Sequence, residues 1–213
     1  LEKQGIEILT SSRIVDLTKK ENICDLSINT PKGIRSFKNQ RVIVAAGIHG
    51  NSTDIGLENI EAEVSEGFIR VDKYLRVNNS NVYAIGDLIG YAPLAHVAQA
   101  QGVYVIEQMA GLQPTSINYD AIPRAVYCHP QVASIGMTEQ DAISQGLDVK
   151  IGRFPMAANG KALTEGAEEG FAKIVVDSNN GEILGSHLLG NDVTELLGEL
   201  SIAKILDGTN LEI

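Results

Sequence analysis

The string VYAIGDLIGYAPLAHVAQAQG, residues 82–102, carries the most structural information in the chain. Residues 82–85 are apolar and precede a Gly-Asp pair, which predicts a buried strand that ends on Asp87. Residues 94–109 are mostly small or apolar and predict a helix, with Gly111 placed to end it. A strand, a loop and a helix in this order indicate an α/β unit, in which ligands bind beyond the carboxyl ends of the strands.

Two features of this string predict a ligand site. Gly86 would let a ligand approach the backbone closely, and Asp87 can accept hydrogen bonds from sugar-like hydroxyls. The helix is expected to begin near Leu94, Ala95 and His96, where free N–H groups and the positive end of the helix dipole would face the same crevice. Alone, the Gly-Asp pair is a weak signal, because an aspartate at a strand end is often only a turn former.

The rest of the first half predicts strands separated by turns. Residues 41–47 predict a second buried strand, because Arg41 is followed by a continuous apolar run that ends on Gly47. Residues 67–77 predict a hairpin, and the cluster at 78–81 predicts a turn. Shorter alternating segments predict further strands at 6–9, 14–18, 23–30 and 33–38.

The second half has the pattern of an α+β domain with an antiparallel sheet. Thr138 is placed to cap a short helix, with Asp141 at the reciprocal position. The pair Asn180-Gly181 is a strong hairpin signal, and residues 156–170 are typical of a long polar loop. Strands are predicted at 132–136, 149–154, 171–177 and 182–189, and a last helix at 192–206 with Gly208 as its stop.

Composition narrows the classes of function. The 213 residues are 44% hydrophobic and 21% charged, which is typical of a globular protein. A net charge of -10 argues against a nucleic-acid partner, and no apolar run approaches the roughly 18–20 residues that cross a membrane. Cys24 and Cys128 lie far apart in sequence, which favours two reduced cysteines and a cytoplasmic location.

The string at 82–102 is similar to the second FAD-contacting motif of the pyridine nucleotide–disulfide oxidoreductases. Its Leu94-Ala95-His96 element resembles the dihydrolipoamide dehydrogenase branch of that family. The loop at 47–51 departs from the Gly-Arg-x-Pro-Asn of many relatives, which leaves the contacts of that loop open. Elsewhere the resemblance covers essentially the whole chain, and three segments fit the family's dimerisation domain, at 127–136, 154–162 and 185–190.

The resemblance implies both cofactors and site residues. FAD and NAD would serve the oxidation of dihydrolipoamide through a redox disulfide, in 2-oxoacid dehydrogenase complexes. Asp87 would hold the ribityl chain of the flavin beside Gly86, and Leu94, Ala95 and His96 would lie at the pyrimidine side of the isoalloxazine. A helix start there would stabilise negative charge that develops on the reduced ring.

The resemblance also implies the fold class and the domains. We expect α/β plus α+β architecture: the tail of an NAD-binding domain at 1–47, the C-terminal part of an FAD-binding domain at 48–117, and a homodimeric interface domain at 118–213.

Several parts of the family's site do not occur in this sequence. It has no Gly-x-Gly-x-x-Gly loop, and Cys24 and Cys128 match neither redox position. The family's acid–base histidine lies in a late His-Pro segment with a following Glu, and His129-Pro130 is no substitute because it opens the domain and no suitable Glu follows. We therefore expect a fragment cut short at both ends, without catalytic residues and inactive by itself.

Alternatives stay open. One alternative is a non-catalytic dimerisation module, and another is a fragment of a sister flavoprotein such as mercuric reductase or soluble transhydrogenase. His49, His129 and His187 are interpreted as loop or strand residues, and no histidine pair has the spacing of metal ligands. Lys161 could meet an anion, although a solvated lysine is the simpler interpretation.

Overall fold

The computed structural model describes residues 1–78 and 80–213, in two compact units, 1–48 and 49–213. Asn79, in the turn predicted at 78–81, lies outside the described residues. The fold is mixed α/β with antiparallel sheets, so the predicted class is confirmed. The domain boundaries predicted at 47 and 117 stay predictions.

The first unit is a three-stranded antiparallel meander. A 3₁₀ turn at Glu2–Gln4 precedes the sheet, whose strands are β1 (Arg13–Lys20), β2 (Ile23–Thr30) and β3 (Gly33–Asn39), in the order β1-β2-β3. Two-residue loops set both registers, because Lys20 pairs with Ile23 and Thr30 with Gly33. These three strands confirm the sequence prediction.

Two predicted strands of this unit are wrong. Residues 6–9 form no strand, and an ion pair between Glu7 and Arg35 of β3 connects this segment to the sheet instead. Residues 41–47 also form no strand, and Ile43 is 89% exposed. A buried parallel strand needs neighbours on both sides to satisfy its backbone, and no strand in the described part of the chain pairs with this one.

The second unit begins with loops packed around one long helix. The hairpin predicted at 67–77 is wrong as placed, because the two-stranded pair is β4 (Val64–Ser65) and β5 (Phe68–Ile69). The helix α1 spans Ala95–Met109, which confirms the predicted helix at 94–109. The core contains seven buried side chains, Ile69, Leu75, Val77, Ala84, Ile89, Tyr104 and Val105.

The strand predicted to end on Asp87 does not form. Only Tyr83 makes a β-bridge, to Arg76, and the hydrogen bonds lie on one side of the segment, from Val77 N–H to Val82 O and from Ala84 N–H to Leu75 O. With no partner on its other side among the described residues, residues 82–85 stay extended without becoming a sheet strand. Asp87 therefore lies in a 3₁₀ turn, Gly86–Ile89.

The rest of the second unit is a five-stranded antiparallel sheet with helices. Its order is β6-β7-β10-β9-β8, and all four predicted strands are confirmed. The elements are the 3₁₀ turn Tyr119–Ala121, β6 (Arg124–Val126), β7 (Gln131–Gly136), α2 (Glu139–Ser144), β8 (Val149–Pro155), α3 (Gly160–Thr164), β9 (Phe171–Asp177), β10 (Ile183–Gly190) and α4 (Leu197–Ile205). Ala133, Ile135, Leu188, Val193 and Leu197 form the core under this sheet.

Two predictions here need correction. The loop predicted at 156–170 contains a 3₁₀ turn at Met156–Ala158 and the helix α3, because the Asn159 side chain accepts a hydrogen bond from the Ala162 N–H and caps the helix. The last helix begins at Leu197 and not at residue 192, and residues 191–196 form turns. Asp192 there has a φ of +53°, outside the range of a right-handed helix.

Candidate functional site

The predicted ligand site lies where the Gly86–Ile89 turn packs against α1. Gly86 has a φ of +73°, in the left-handed region that residues with a side chain adopt only with strain. An added Cβ would lie 3.4 Å from the Cβ of Ala98 on α1, which is an ordinary contact. Glycine is therefore needed here for its backbone conformation, and its missing side chain also keeps the surface open.

Asp87 follows this glycine with an exposed side chain. Within the described residues no protein group donates a hydrogen bond to its carboxylate, although its carbonyl oxygen accepts one from the Gly90 N–H at 3.1 Å. The carboxylate thus keeps its full capacity to accept hydrogen bonds from a ligand. This arrangement suits a hydroxyl-bearing chain.

The start of α1 offers hydrogen-bond donors. Leu94 is the N-cap residue of α1 and has an extended backbone. Its apolar side chain makes no capping hydrogen bond, but its carbonyl oxygen accepts hydrogen bonds from the N–H groups of Val97 and Ala98. The N–H groups of Ala95 and His96 have no acceptor within the described residues. They point from the positive end of a 15-residue helix, where an acceptor atom or a partial negative charge is stabilised.

The imidazole of His96 is already engaged. Its Nε2 lies 3.1 Å from the carbonyl oxygen of Pro123, so an N–H on that nitrogen donates to this oxygen. The predicted contribution of His96 to a ligand would therefore come from its backbone N–H, and the side chain connects α1 to the beginning of the sheet domain.

Gln101 is a polar residue at this site that the sequence prediction missed. Its side chain is 0% exposed, its Oε1 accepts from the Gly86 N–H at 2.6 Å, and its Nε2 donates to the Tyr119 hydroxyl at 2.9 Å. The sequence did contain a signal for this role. Gln101 lies on the same helix face as three buried residues, since Val97, Gln101, Tyr104 and Val105 are spaced i, i+4, i+7 and i+8. A glutamine on an otherwise apolar face indicates a buried hydrogen-bonding role.

The other residues considered from sequence lie elsewhere. Cys24 is on β2 and Cys128 follows β6, and both are free thiols. His187 on β10 approaches the Met137 carbonyl oxygen with Nε2 at 2.9 Å. Lys161 pairs with Glu165 one helical turn away.

No group of three or more His, Cys, Asp or Glu side chains in residues 1–78 and 80–213 is arranged to hold a metal ion. In the same ranges, none of the helices combines the length and the apolar character that crossing a membrane requires.

Relatives of known name match the chain over its whole length. Dihydrolipoyl dehydrogenase of Bacillus subtilis is 38% identical over 100% of this chain and 45% of that protein. Dihydrolipoyl dehydrogenase of Zymomonas mobilis is 41% identical over 99% of the chain and 46% of that protein. The chain therefore spans less than half the length of these curated relatives.

Solved structures share the fold. LpdA from Mycobacterium tuberculosis superposes with a TM-score of 0.84 at 21% identity, over 95% of this chain and 44% of that one. The HOCl-induced flavoprotein disulfide reductase RclA from Escherichia coli gives a TM-score of 0.85 at 22% identity, over 98% and 47%. At these identities the likeness establishes the fold alone.

Two family models divide the chain between them. Residues 1–102 match the model described as pyridine nucleotide-disulphide oxidoreductase, and residues 122–212 match the dimerisation domain of the same family. Together with the relatives, these matches show that the chain belongs to the pyridine nucleotide-disulphide oxidoreductases.

Proposed function

We propose that this chain is part of an FAD-dependent dihydrolipoyl dehydrogenase that oxidises dihydrolipoamide with NAD⁺ through a flavin and a redox disulfide. The observation that carries the proposal is the identity of 38–41% with dihydrolipoyl dehydrogenases along essentially the full chain. Membership of the family supports an oxidoreductase activity, and the names of the relatives support dihydrolipoamide as the substrate.

The residues at the candidate site fit one part of FAD. The exposed Asp87 carboxylate, without a protein partner in the described chain, would accept hydrogen bonds from the ribityl hydroxyls. The free N–H groups of Ala95 and His96, next to Leu94, would donate to the pyrimidine edge of the ring. Gly86 leaves the backbone accessible there. When bound, FAD would carry electrons between a dithiol and the nicotinamide.

The residues do not fit NAD in the same way. The sequence has no Gly-x-Gly-x-x-Gly loop, and the described first unit is an antiparallel meander without an α-helix whose N-terminus could receive a phosphate group. No residue of this chain is therefore proposed to bind NAD. NAD is proposed as cofactor of the whole protein on its relatives alone.

A chimera tests the function. The chain would replace the corresponding segment of the Bacillus subtilis enzyme, which it matches end to end at 38% identity. We expect a yellow protein that reduces NAD⁺ with dihydrolipoamide. The same chimera with Asp87→Ala should bind flavin about tenfold more weakly, because it loses the carboxylate that would accept charge-assisted hydrogen bonds from the cofactor. A well-folded chimera that binds no flavin would contradict the proposal.

The purified chain alone should be colourless and inactive in the lipoamide assay. It contributes only a few of the flavin contacts and has neither the redox cysteine pair nor the late His-Pro segment of the family. The measurement is the visible absorbance of flavin in the protein peak after gel filtration with excess FAD. Flavin absorbance that co-elutes with the protein would contradict this expectation.

We further propose a homodimer formed through residues 118–213, attached to a 2-oxoacid dehydrogenase complex in the cytoplasm. The match of residues 122–212 to the family's dimerisation domain supports the homodimer. The names of the relatives support the complex. The two unpaired cysteines support a reducing compartment.

A further inference from the structure

The buried amide of Gln101 occupies the space between two parts of the second unit. One end faces the Gly86–Ile89 turn, where Oε1 accepts from the Gly86 N–H at 2.6 Å. The other end faces Tyr119, whose hydroxyl accepts from Nε2 at 2.9 Å. The side chain is 0% exposed, so these contacts replace water entirely.

Both contacts are needed for physical reasons. A buried amide without partners is costly, and the Gly86 N–H begins a 3₁₀ turn, where no backbone carbonyl of the turn can accept from it. Gly86 also has a left-handed φ, so its peptide has alternative orientations at low energy. The Gln101 oxygen selects one orientation, and with it the direction in which Asp87 leaves the turn.

Tyr119 connects this arrangement to the next domain. It opens the 3₁₀ turn Tyr119–Ala121, which the Asn118 side chain caps by accepting from the Asp120 N–H at 3.0 Å. The ring of Tyr119 also packs edge-on against Tyr91, with centroids 5.9 Å apart. The dimerisation-domain match begins three residues later, at 122.

We propose that Gln101 is a positioning residue that fixes the Gly86–Asp87 turn and couples it to Tyr119, just before the match to the dimerisation domain. The relevance of that turn to a flavin rests on the proposed function; the hydrogen-bonded connection itself does not. Through it, a displacement at Tyr119 reaches the Gly86 N–H by two hydrogen bonds, and Asp87 is the next residue along the backbone.

Amide hydrogen exchange at Gly86, measured by NMR on the chain without flavin, tests the connection. Gln101→Leu should speed exchange about 3- to 10-fold by removing the acceptor. Gln101→Glu should restore slow exchange, because a carboxylate accepts from both the Gly86 N–H and the Tyr119 hydroxyl. Tyr119→Phe should speed exchange at Gly86 about twofold, although within the described residues no hydrogen bond joins Tyr119 to Gly86 directly and both bond to Gln101.

Tyr104→Phe is the matched control. It removes a hydroxyl of the same helix environment, which donates to the Lys73 carbonyl oxygen at 3.3 Å and has no bond to Gln101. Exchange at Gly86 should stay at the wild-type rate. Unchanged exchange in Gln101→Leu, or equal effects of Tyr119→Phe and Tyr104→Phe, would overturn the proposal. If Gln101→Leu does not fold, the Tyr119→Phe and Tyr104→Phe pair decides.

Flavin affinity tests separately whether the connection through Gln101 affects cofactor binding. In the chimera, Tyr119→Phe should weaken flavin affinity several-fold, about the effect of loosening one hydrogen bond, and Tyr104→Phe should not. Equal affinities in the two variants would overturn the coupling to the flavin. A wild-type chimera without flavin would refute the proposed function, while the exchange result on the chain would still decide whether Gln101 holds the turn.

Discussion

Gly86 holds a left-handed backbone in the turn that presents Asp87, and its φ is +73°. Gly86→Ala should lower the free energy of unfolding by about 1–2 kcal/mol, because alanine pays the strain of that conformation. The added methyl would not clash, since its nearest neighbour is the Ala98 Cβ at 3.4 Å. Urea unfolding followed by circular dichroism measures the change.

Gly198→Ala is the control with the opposite sign. Gly198 is the second residue of α4, where an added Cβ meets nothing within 4 Å. Alanine there should stabilise the chain, by at most the roughly 0.5–1 kcal/mol that a glycine costs in a helix interior. If Gly86→Ala and Gly198→Ala shift the free energy of unfolding in the same direction, the left-handed backbone of Gly86 does not determine the effect of its substitution.

The helix α2 depends on its N-terminal capping box. The Thr138 hydroxyl accepts from the Asp141 N–H at 3.1 Å, and the Asp141 carboxylate accepts from the Thr138 N–H at 3.2 Å. Thr138→Ala should cost about 1 kcal/mol in urea unfolding, and Thr138→Ser should cost little. Thr164→Ala, which removes a hydroxyl that only donates back to Lys161 O, should change stability much less.

Glu139 of α2 connects that helix to two strands, and we expect these contacts to make the stability of the sheet domain depend on acid pH. It accepts from Arg153 on β8 and from Lys173 on β9 at 3.3 Å. The hydrogen bond from Arg153, then that from Lys173, holds the pKa of the Glu139 carboxyl below its ordinary value. A lowered folded-state pKa adds stability above the unfolded pKa of roughly 4.3, and this is lost as the pH falls through the folded pKa.

Glu139→Gln tests that dependence. Urea midpoints at pH 7 and at about pH 3 bracket the window in which the carboxyl gains its proton. The wild type should lose more stability between the two conditions than Glu139→Gln does. An equal loss in both proteins would assign the acid sensitivity to the other carboxylates with a lowered pKa, among them Asp141 and Asp177.

The sequence predicted correctly those elements whose contacts join residues close in sequence. The hairpin at Asn180-Gly181 and the capped helix at Thr138 need only residues close in sequence, and both are present. The strands predicted at 41–47 and 82–87 are absent, because apolar runs of this kind become strands only with parallel neighbours, and the described residues supply none.

Contacts between distant residues limited the prediction of the site. Gly86, Asp87 and the helix start at Leu94 could be placed from one continuous string. The bond from Gln101 to Tyr119 could not, since it joins residues 18 apart across the end of a helix and a loop. Which side chain accepts from a given N–H depends on tertiary packing, which the spacing of residues in one element does not specify.

For the whole molecule, we expect the proposed homodimer to be most sensitive to substitutions on the exposed apolar face of α4. Ile202 is 62% exposed and Ile205 65%, next to exposed Leu206, within the segment that matches the dimerisation domain. Exposed apolar patches of this kind typically mark interfaces. Ile202→Glu should shift the chain from dimer to monomer in light scattering at micromolar concentration, because it places a charge in an apolar contact.

Ile34→Glu is the control for that substitution. Ile34 on β3 is 70% exposed and lies outside residues 118–213, so the added charge should leave the mass of the dimer unchanged. Circular dichroism should show both variants folded, since neither side chain belongs to a core cluster. A monomeric wild type at micromolar concentration would contradict dimerisation of this chain. A dimer that tolerates Ile202→Glu would place the interface on another face of the domain.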